Sequence, residues 1–309
     1  MIKVRDLTVR FDDFTAVDHV SIDVGPGEVC GLIGPNGAGK TTTMRAMIGL
    51  IEPTAGTVEL NGYDVIEHSR EAMRKTGFMP DFPPMYDDLR VWEFLDLFAA
   101  SYDVPKAERF DAVDRHLELV GLLEKRHSGI VELSRGMRQR LMLAKSLIAD
   151  PDILLLDEPA SGMDPWGRIN LKMVLKELAA RGKAVLISSH ILSEMSEFCT
   201  SVAIMECGRL VVAGAIDEVK ARVMGAGVEL VVEVIGDASA LADVVADDPM
   251  AGLLMRRDGA YVIPYAGTPE QSADLLGAIV GAGVRVAAFG RRKEGLEELF
   301  LKVGARELS

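Results

Sequence analysis

The chain has 309 residues with a formal net charge of -13, 49% hydrophobic and 6% aromatic residues, and three cysteines. The length exceeds what one compact domain commonly needs, so a large domain plus a smaller one is expected. The charge disfavours nucleic acid and anionic lipid surfaces as partners. Cys30, Cys199 and Cys207, an odd number at no zinc-like spacing, read as reduced, mostly buried thiols rather than a disulfide or metal framework.

From the start, Ile2, Val4, Leu7 and Val9 alternate into Phe11, and Ala16 to Val24 alternates again, as half-buried antiparallel strands do. Met1 to Arg10 carries charges throughout and has no apolar signal-peptide core. Val29 to Ile33 is instead nearly continuous in apolar residues, which fits a strand covered on both faces in a parallel sheet. Ile153 to Leu156 and Ala184 to Ser188 share that character. Between the first two runs, about residues 81–150 carry helical spacing, in Phe94, Leu95 and Phe98 and then Leu117, Val120 and Leu123. This predicts a helical subdomain inserted into an α/β core.

Met224-Gly225-Ala226-Gly227 is a turn signal that divides a first domain, 1–224, from a second, 225–309. In the second, Val228 to Ile235 reads as a strand and Ser239 to Val245 as a helix. Gly252 to Arg256 and Ala260 to Pro264 form a hairpin across Asp258-Gly259, followed by a helix over Glu270 to Val280 and a strand over Val284 to Phe289. That order predicts a small ferredoxin-like α/β unit. Glu297 to Val303 is expected to close the chain as an amphipathic helix. Leu275 to Val284, the most membrane-like stretch, is too short to cross about 30 Å of hydrocarbon.

The chemistry concentrates in the first domain. Gly34-Pro35-Asn36-Gly37-Ala38-Gly39-Lys40-Thr41, continued by Thr42, fits the phosphate-binding loop, placed after an apolar strand and before a helix. Glycines let backbone N–H groups point at phosphate, and the helix start adds its positive dipole end. Lys40 would bridge the β- and γ-phosphates and the Thr41 hydroxyl would bind Mg²⁺. Ile153 to Leu156 then runs into Asp157 and Glu158 at the end of a strand where α/β sheets bind ligands. Successive strand side chains point opposite ways, so the two acids differ in role: Asp157 would hold Mg²⁺ through a water and Glu158 would act as general base.

Leu133-Ser134-Arg135-Gly136-Met137-Arg138-Gln139-Arg140 resembles the signature motif of ABC ATPases, lying shortly before the second acidic element. The resemblance covers roughly Met1 to Lys220. It implies that Ser134 and Gly136 bind the γ-phosphate of ATP held by an opposite subunit. It also implies that Phe11 stacks on adenine, that Ser161-Gly162-Met163-Asp164 is the D-loop, with Asp164 counted among the catalytic residues, and that His190 is the switch histidine. Three positions depart from the pattern. Arg135 replaces a glycine, Met137 a glutamine, and Asp81 stands where the Q-loop carries a glutamine that touches Mg²⁺ and the attacking water. Asp81 is left open between a metal ligand that retunes the link to the permease and a helix cap.

The expectation is thus a phosphate-loop, RecA-like core with an antiparallel β subdomain, an inserted helical subdomain and a C-terminal α/β domain. It would bind ATP and Mg²⁺, pair with a second copy of itself, and drive a separate transmembrane permease from the cytoplasmic face of the membrane. The tail resembles that of ATPases in ABC-2-type exporters, including drug-resistance and sodium-efflux systems, which favours export. The alternative is a soluble ABC ATPase acting on ribosomes or DNA. Ribosome-acting relatives usually carry two modules and DNA-repair relatives long coiled coils, whereas this chain has one module and no such heptads. A phosphate-loop kinase or GTPase would leave the 133–140 segment and His190 as coincidences. Cargo is chosen by the permease and is not written in this chain.

Overall fold

The protein is described by a computed structural model over residues 1–81, 85–190, 195, 198–216, 218–219, 228–236, 238–252, 254–257 and 259–292. Chain contacts divide it into two compact units, Met1–Ile216 and Asp217–Ser309. The turn signal Met224 to Gly227, Asp258 of the hairpin turn and the helix expected at Glu297 to Val303 lie outside the described residues.

The first unit opens with β1 (Ile2–Phe11) and β2 (Phe14–Val24), an antiparallel pair in which Ile2 faces Val24 and Val9 faces Val17. Then follow β3 (Val29–Ile33), α1 (Lys40–Met47), β4 (Ala55–Leu60), β5 (Tyr63–Asp64), α2 (Ser69–Arg74) and β6 (Thr76–Met79). Three helices come next: α3 (Val91–Ser101), α4 (Lys106–Leu119) and α5 (Arg135–Leu147). β7 (Ile153–Leu156), α6 (Pro165–Ala180), β8 (Ala184–Ser189), β9 (Ser201–Glu206) and β10 (Arg209–Ala215) complete the unit.

One sheet is antiparallel in the order β2-β1-β4-β5. The other runs β10-β9-β3-β8-β7-β6, parallel from β9 to β6 with β10 antiparallel at its edge. Every residue of β3, β7 and β8 is buried, as their unbroken apolar runs demand. One core joins the layers, with Ile2, Leu7 and Val20 from the antiparallel sheet, Met44 and Met47 from α1, and Leu32, Leu155 and Leu186 from the parallel sheet. Each such side chain contributes roughly 1.5–3 kcal/mol by leaving water. The helices α3, α4 and α5 are inserted between β6 and β7, which are neighbours in the sheet. The ends of this insertion therefore emerge side by side at the sheet.

β4, β5, α2, β6, α6, β9 and β10 were not anticipated from sequence. β6 falls on the segment read only as a loop leading to Asp81. Its four residues pair with Ile153–Leu156, so Asp81 is delivered next to Asp157.

The second unit contains β11 (Val228–Val234), α7 (Ser239–Asp247), β12 (Met255–Arg257), β13 (Ala260–Tyr265), α8 (Pro269–Gly281) and β14 (Val286–Arg292). Its sheet is antiparallel throughout in the order β12-β13-β11-β14, the ferredoxin-like arrangement expected. Leu230, Val232, Ile263 and Tyr265 from the sheet pack on Leu241, Val245, Leu275 and Ile279 from the helices. α8 starts on a reciprocal cap in which Thr268 and Gln271 bond each other's backbone N–H, with Pro269 at the first helical position. Among the described residues, no helix is long and apolar enough to cross a membrane.

Candidate active site

β3 ends at the loop 34–39, and Gly39 stands at the start of α1 with φ of 99° and no side chain to cap the helix. A Cβ on Gly39 would meet the Ala16 carbonyl oxygen at 2.6 Å, so only glycine fits both the turn and the approach of β2. The first amides of α1 consequently have no side-chain cap, an arrangement suited to anions. Lys40 is 5% exposed. Its Nζ donates to the carbonyls of Gly34 at 2.8 Å and Pro35 at 3.1 Å and lies 3.7 Å from Glu158 Oε1.

β7 and β8 supply the acids and their supports. Asp157 is buried, and its Oδ1 accepts from the Ser188 hydroxyl at 2.6 Å. The same Ser188 oxygen accepts from the Glu158 backbone N–H at 2.9 Å, so one hydroxyl holds both members of the acidic pair. Glu158 has φ of 49°, a left-handed state that costs a non-glycine residue roughly 1–2 kcal/mol and re-aims its side chain away from the strand alternation. Its Oε2 lies 2.9 Å from His190 Nδ1. Glu158 is thus held between a lysine and a histidine.

Asp81 follows β6. Burial raises its pKa above the usual carboxylate value, with the nearby carboxylates of Asp157 and Glu158 adding to the shift and Arg135 and His190 opposing it. Gln139 of α5 donates to the Asp81 carbonyl at 3.1 Å, tying the inserted helices to this segment. No described helix begins at Asp81, since α3 starts at Val91.

These groups surround a cleft of about 600 Å³ lined by Asn36 to Thr42, Asp81, Glu158 and His190, together with Phe14, Ala16, Arg135 and Ser161. Gly34 and Pro35 are not part of the lining but hold Lys40 through their carbonyls, and Asp157 is buried outside it. Other expected residues lie outside the lining. Phe11 pairs with Phe14 across the β1–β2 turn, and it is Phe14 that reaches the cleft. Ser134 caps α5, its hydroxyl accepting from Met137 N–H at 3.3 Å, and Gly136 packs on the Gly162 carbonyl. Asp164 caps α6 by accepting from Gly167 N–H at 2.7 Å. Sequence reasoning did not assign Ser188, whose only signal was a serine at the end of a buried strand. Cys30 and Cys199 are buried and Cys207 is exposed, all three free; burial pushes the Cys30 thiol up to about 12, so it stays protonated.

A phosphate cradle, a buried lysine and an acid pair at the ends of parallel strands constitute a nucleotide-hydrolysing site. Comparison with known proteins points the same way. Residues 17–161 match the family model described as ABC transporter. The Nod factor export ATP-binding protein I of Cupriavidus metallidurans is 34% identical over 100% of this chain and 98% of its own length. A solved structure described as the ATP-binding subunit of an ABC transporter is 31% identical with a TM-score of 0.68, covering 72% of this chain and 92% of that one. CbiO1 from Clostridium perfringens, described as part of the ABC transporter complex CbiONQ, is 25% identical with a TM-score of 0.64, over 71% of this chain and 90% of its own. The chain therefore belongs to the ABC transporter family, as an ATP-binding subunit that hydrolyses ATP to power a separate membrane permease.

Proposed function

We propose that the protein is the motor of an exporter, binding Mg-ATP at two sites shared between two copies of the chain. The observation that carries the hydrolytic part is the placement of Glu158 in the cleft lining, 3.7 Å from Lys40 Nζ and 2.9 Å from His190 Nδ1. Lys40 exchanges its loop carbonyls for the β- and γ-phosphates, Glu158 takes the proton of the attacking water, and His190 orients Glu158 and meets the γ-phosphate. Phe14 lines the cleft where Phe11 does not, which supports Phe14 as the ring that stacks on adenine. Asp164 acts through the start of α6, keeping the turn after Glu158 in place.

The donor set fits Mg²⁺, which prefers hard oxygens and is commonly bound by one or two carboxylates with substrate phosphates. Thr41, Asp157 and Asp81 are the residues that would hold it, and the mutual repulsion of Asp81, Asp157 and Glu158 favours a cation among them. Among the described residues no three acidic, His or Cys side chains form a metal cage on their own, and bound phosphate would supply further oxygens. Bound there, the ion neutralises charge on the transferring phosphoryl group.

Ser134 and Gly136 lie outside the lining of the chain's own cleft, which supports their use against the nucleotide of a second copy. Export is supported by full-length likeness to a protein named for export, second unit included. The working location is the cytoplasmic face of a membrane, through the permease. Mixing Lys40→Ala protein with Ser134→Arg protein, each inactive alone, tests the shared site. A mixed dimer gathers both lesions in one site and leaves the other whole, so partial ATPase activity returns. No activity on mixing, together with a Glu158→Gln protein that stays monomeric by size exclusion in saturating Mg-ATP, would end this reading.

A further inference from the structure

Arg135, one of two residues that depart from the family's signature pattern, opens α5 and turns back onto its own chain. Its Nη2 donates to the Ser161 hydroxyl at 2.9 Å. Its stem lies across Gly162, where φ is 73° and an added Cβ would meet Arg135 Cδ and Nε at 2.8 Å. The neighbouring Gly136 packs as closely, since a Cβ there would stand 2.9 Å from the Gly162 carbonyl oxygen. Ser161 in turn donates its backbone N–H to the Glu158 carbonyl at 3.0 Å, closing the turn that begins at the left-handed Glu158. Arg135 and Ser161 line the same cleft as Lys40, Glu158 and His190. An arginine at the first position of a helix opposes the helix dipole, so its placement needs compensation from partners such as this hydroxyl and the carboxylates of the cleft.

We propose that Arg135 is a positioning residue that clamps the turn 158–162 through Ser161, so that the first turn of the signature helix sets the aim of Glu158 within the same chain. A left-handed glutamate is held only as well as its surroundings hold it. The Arg135–Ser161 bond and the fit over Gly162 fix the far end of its turn, while Ser188 fixes the near end. Any rotation of α5 then moves Ser161 and, one hydrogen bond further, Glu158. The inference rests on reading Glu158 as the general base.

The test is a double-mutant cycle on the full chain, with kcat from steady-state ATPase assays and the Kd for ATP from titration calorimetry. Arg135→Ala and Ser161→Ala should each lower kcat about tenfold with Kd for ATP changed less than about twofold, and the double variant should be no slower than the slower single one. Arg135→Lys and Ser161→Thr keep a donor and an acceptor and should recover most of the loss, which a role in folding alone would not produce. Multiplying single effects, an unchanged kcat in Arg135→Ala, or a weakened Kd at unchanged kcat, the mark of a phosphate ligand, would each overturn the clamp. If Arg135→Ala does not fold, the Ser161 pair decides: loss in the alanine variant with recovery in the threonine variant supports the clamp, and wild-type kcat in Ser161→Ala refutes it. Glu158→Gln separates the two readings. Wild-type hydrolysis in that variant removes the base, whereas a dead Glu158→Gln with additive Arg135 and Ser161 effects removes only the clamp.

Discussion

Each unit of the protein holds a hollow of similar size, about 600 Å³ in the first and about 520 Å³ in the second, yet their chemistry is opposite. The first is built where parallel strands end. There the sheet leaves loop amides, a buried lysine and the start of a helix, and of the polar groups that line it Lys40 is held by Gly34 and Pro35 and Glu158 by Ser188. The second lies over α7, α8 and Tyr265, and among the described residues its charged lining is Asp247, Asp248 and Asp274 with no Lys, Arg or His. Tyr265 donates its hydroxyl to Asp248 at 3.3 Å. Carboxylates alone repel a nucleotide, whereas in the first hollow Asp81 and Glu158 stand beside Lys40, Arg135 and a row of amides that attract one. Volume does not make a nucleotide site; the direction of strands and the sign of the donors do.

That contrast is broken most sharply at Glu158. Glu158→Gln keeps shape and polarity and removes the proton acceptor, so kcat should fall by about 10² to 10⁴. ATP affinity should be retained, because Lys40 and the loop amides are untouched. Radiolabelled phosphate release and equilibrium ATP titration measure the two arms. Hydrolysis at the wild-type rate would show that the chemistry of the first hollow is not carried by this acid.

The second unit should respond in the reverse sense. Ile263 is fully buried in a core separate from the nucleotide cleft. Ile263→Ala leaves a cavity and should cost about 2–5 kcal/mol of that unit's stability. Denaturant unfolding should then show an early transition while the Kd for ATP stays within about twofold, since no group that meets phosphate is altered. An affinity loss in step with the early transition would mean that the phosphate cleft depends on this core.

The two units also differ in how plainly the sequence announces them. The phosphate loop and the acid pair were legible because their chemistry fixes spacing: a cradle needs glycines between a strand and a helix, and the acids must end a buried strand. β6, with only Phe78 and Met79 as large apolar residues, and β9, with four apolar residues from Val202 to Met205, were not, because runs this short do not distinguish a strand from a turn of helix. Missing β6 hid the reason Asp81 stands beside Asp157. Phe11 and Phe14 face each other across a two-residue turn, and spacing alone does not tell which ring meets the cleft. The left-handed Glu158 and the reach of Arg135 to Ser161 are set by tertiary packing, which local pattern does not carry. The ferredoxin-like unit was legible in order, since alternation and turns mark its strands and helices one by one.

The smallest expected effect separates the fold of the first unit from its chemistry, and it falls on His116. This side chain sits in the last turn of α4, away from the cleft, with Nδ1 donating to the Ala112 carbonyl at 2.7 Å. Burial lowers its pKa below the ordinary 6.5 and Arg115 acts in the same direction, outweighing the Ala112 and Leu147 backbone groups and Asp150, which favour the charged ring. The folded chain therefore resists a proton that the unfolded chain accepts. As pH falls through 6.5 the unfolded state takes up that proton first, so stability present at neutral pH is lost progressively until the folded ring also titrates. His116→Gln keeps an N–H for Ala112 and cannot titrate. Melting temperatures of both proteins at pH 8, 6.5 and 5.5 isolate the effect, because carboxylates common to the two cancel in the difference. The variant should gain on the wild type steadily as pH falls, by a few degrees at most for a single group in a chain of this size. The Kd for ATP at pH 8 should be equal in the two, since His116 does not line the nucleotide cleft. A melting difference that stays constant from pH 8 to 5.5 would mean that the buried ring does not carry the acid sensitivity of this unit.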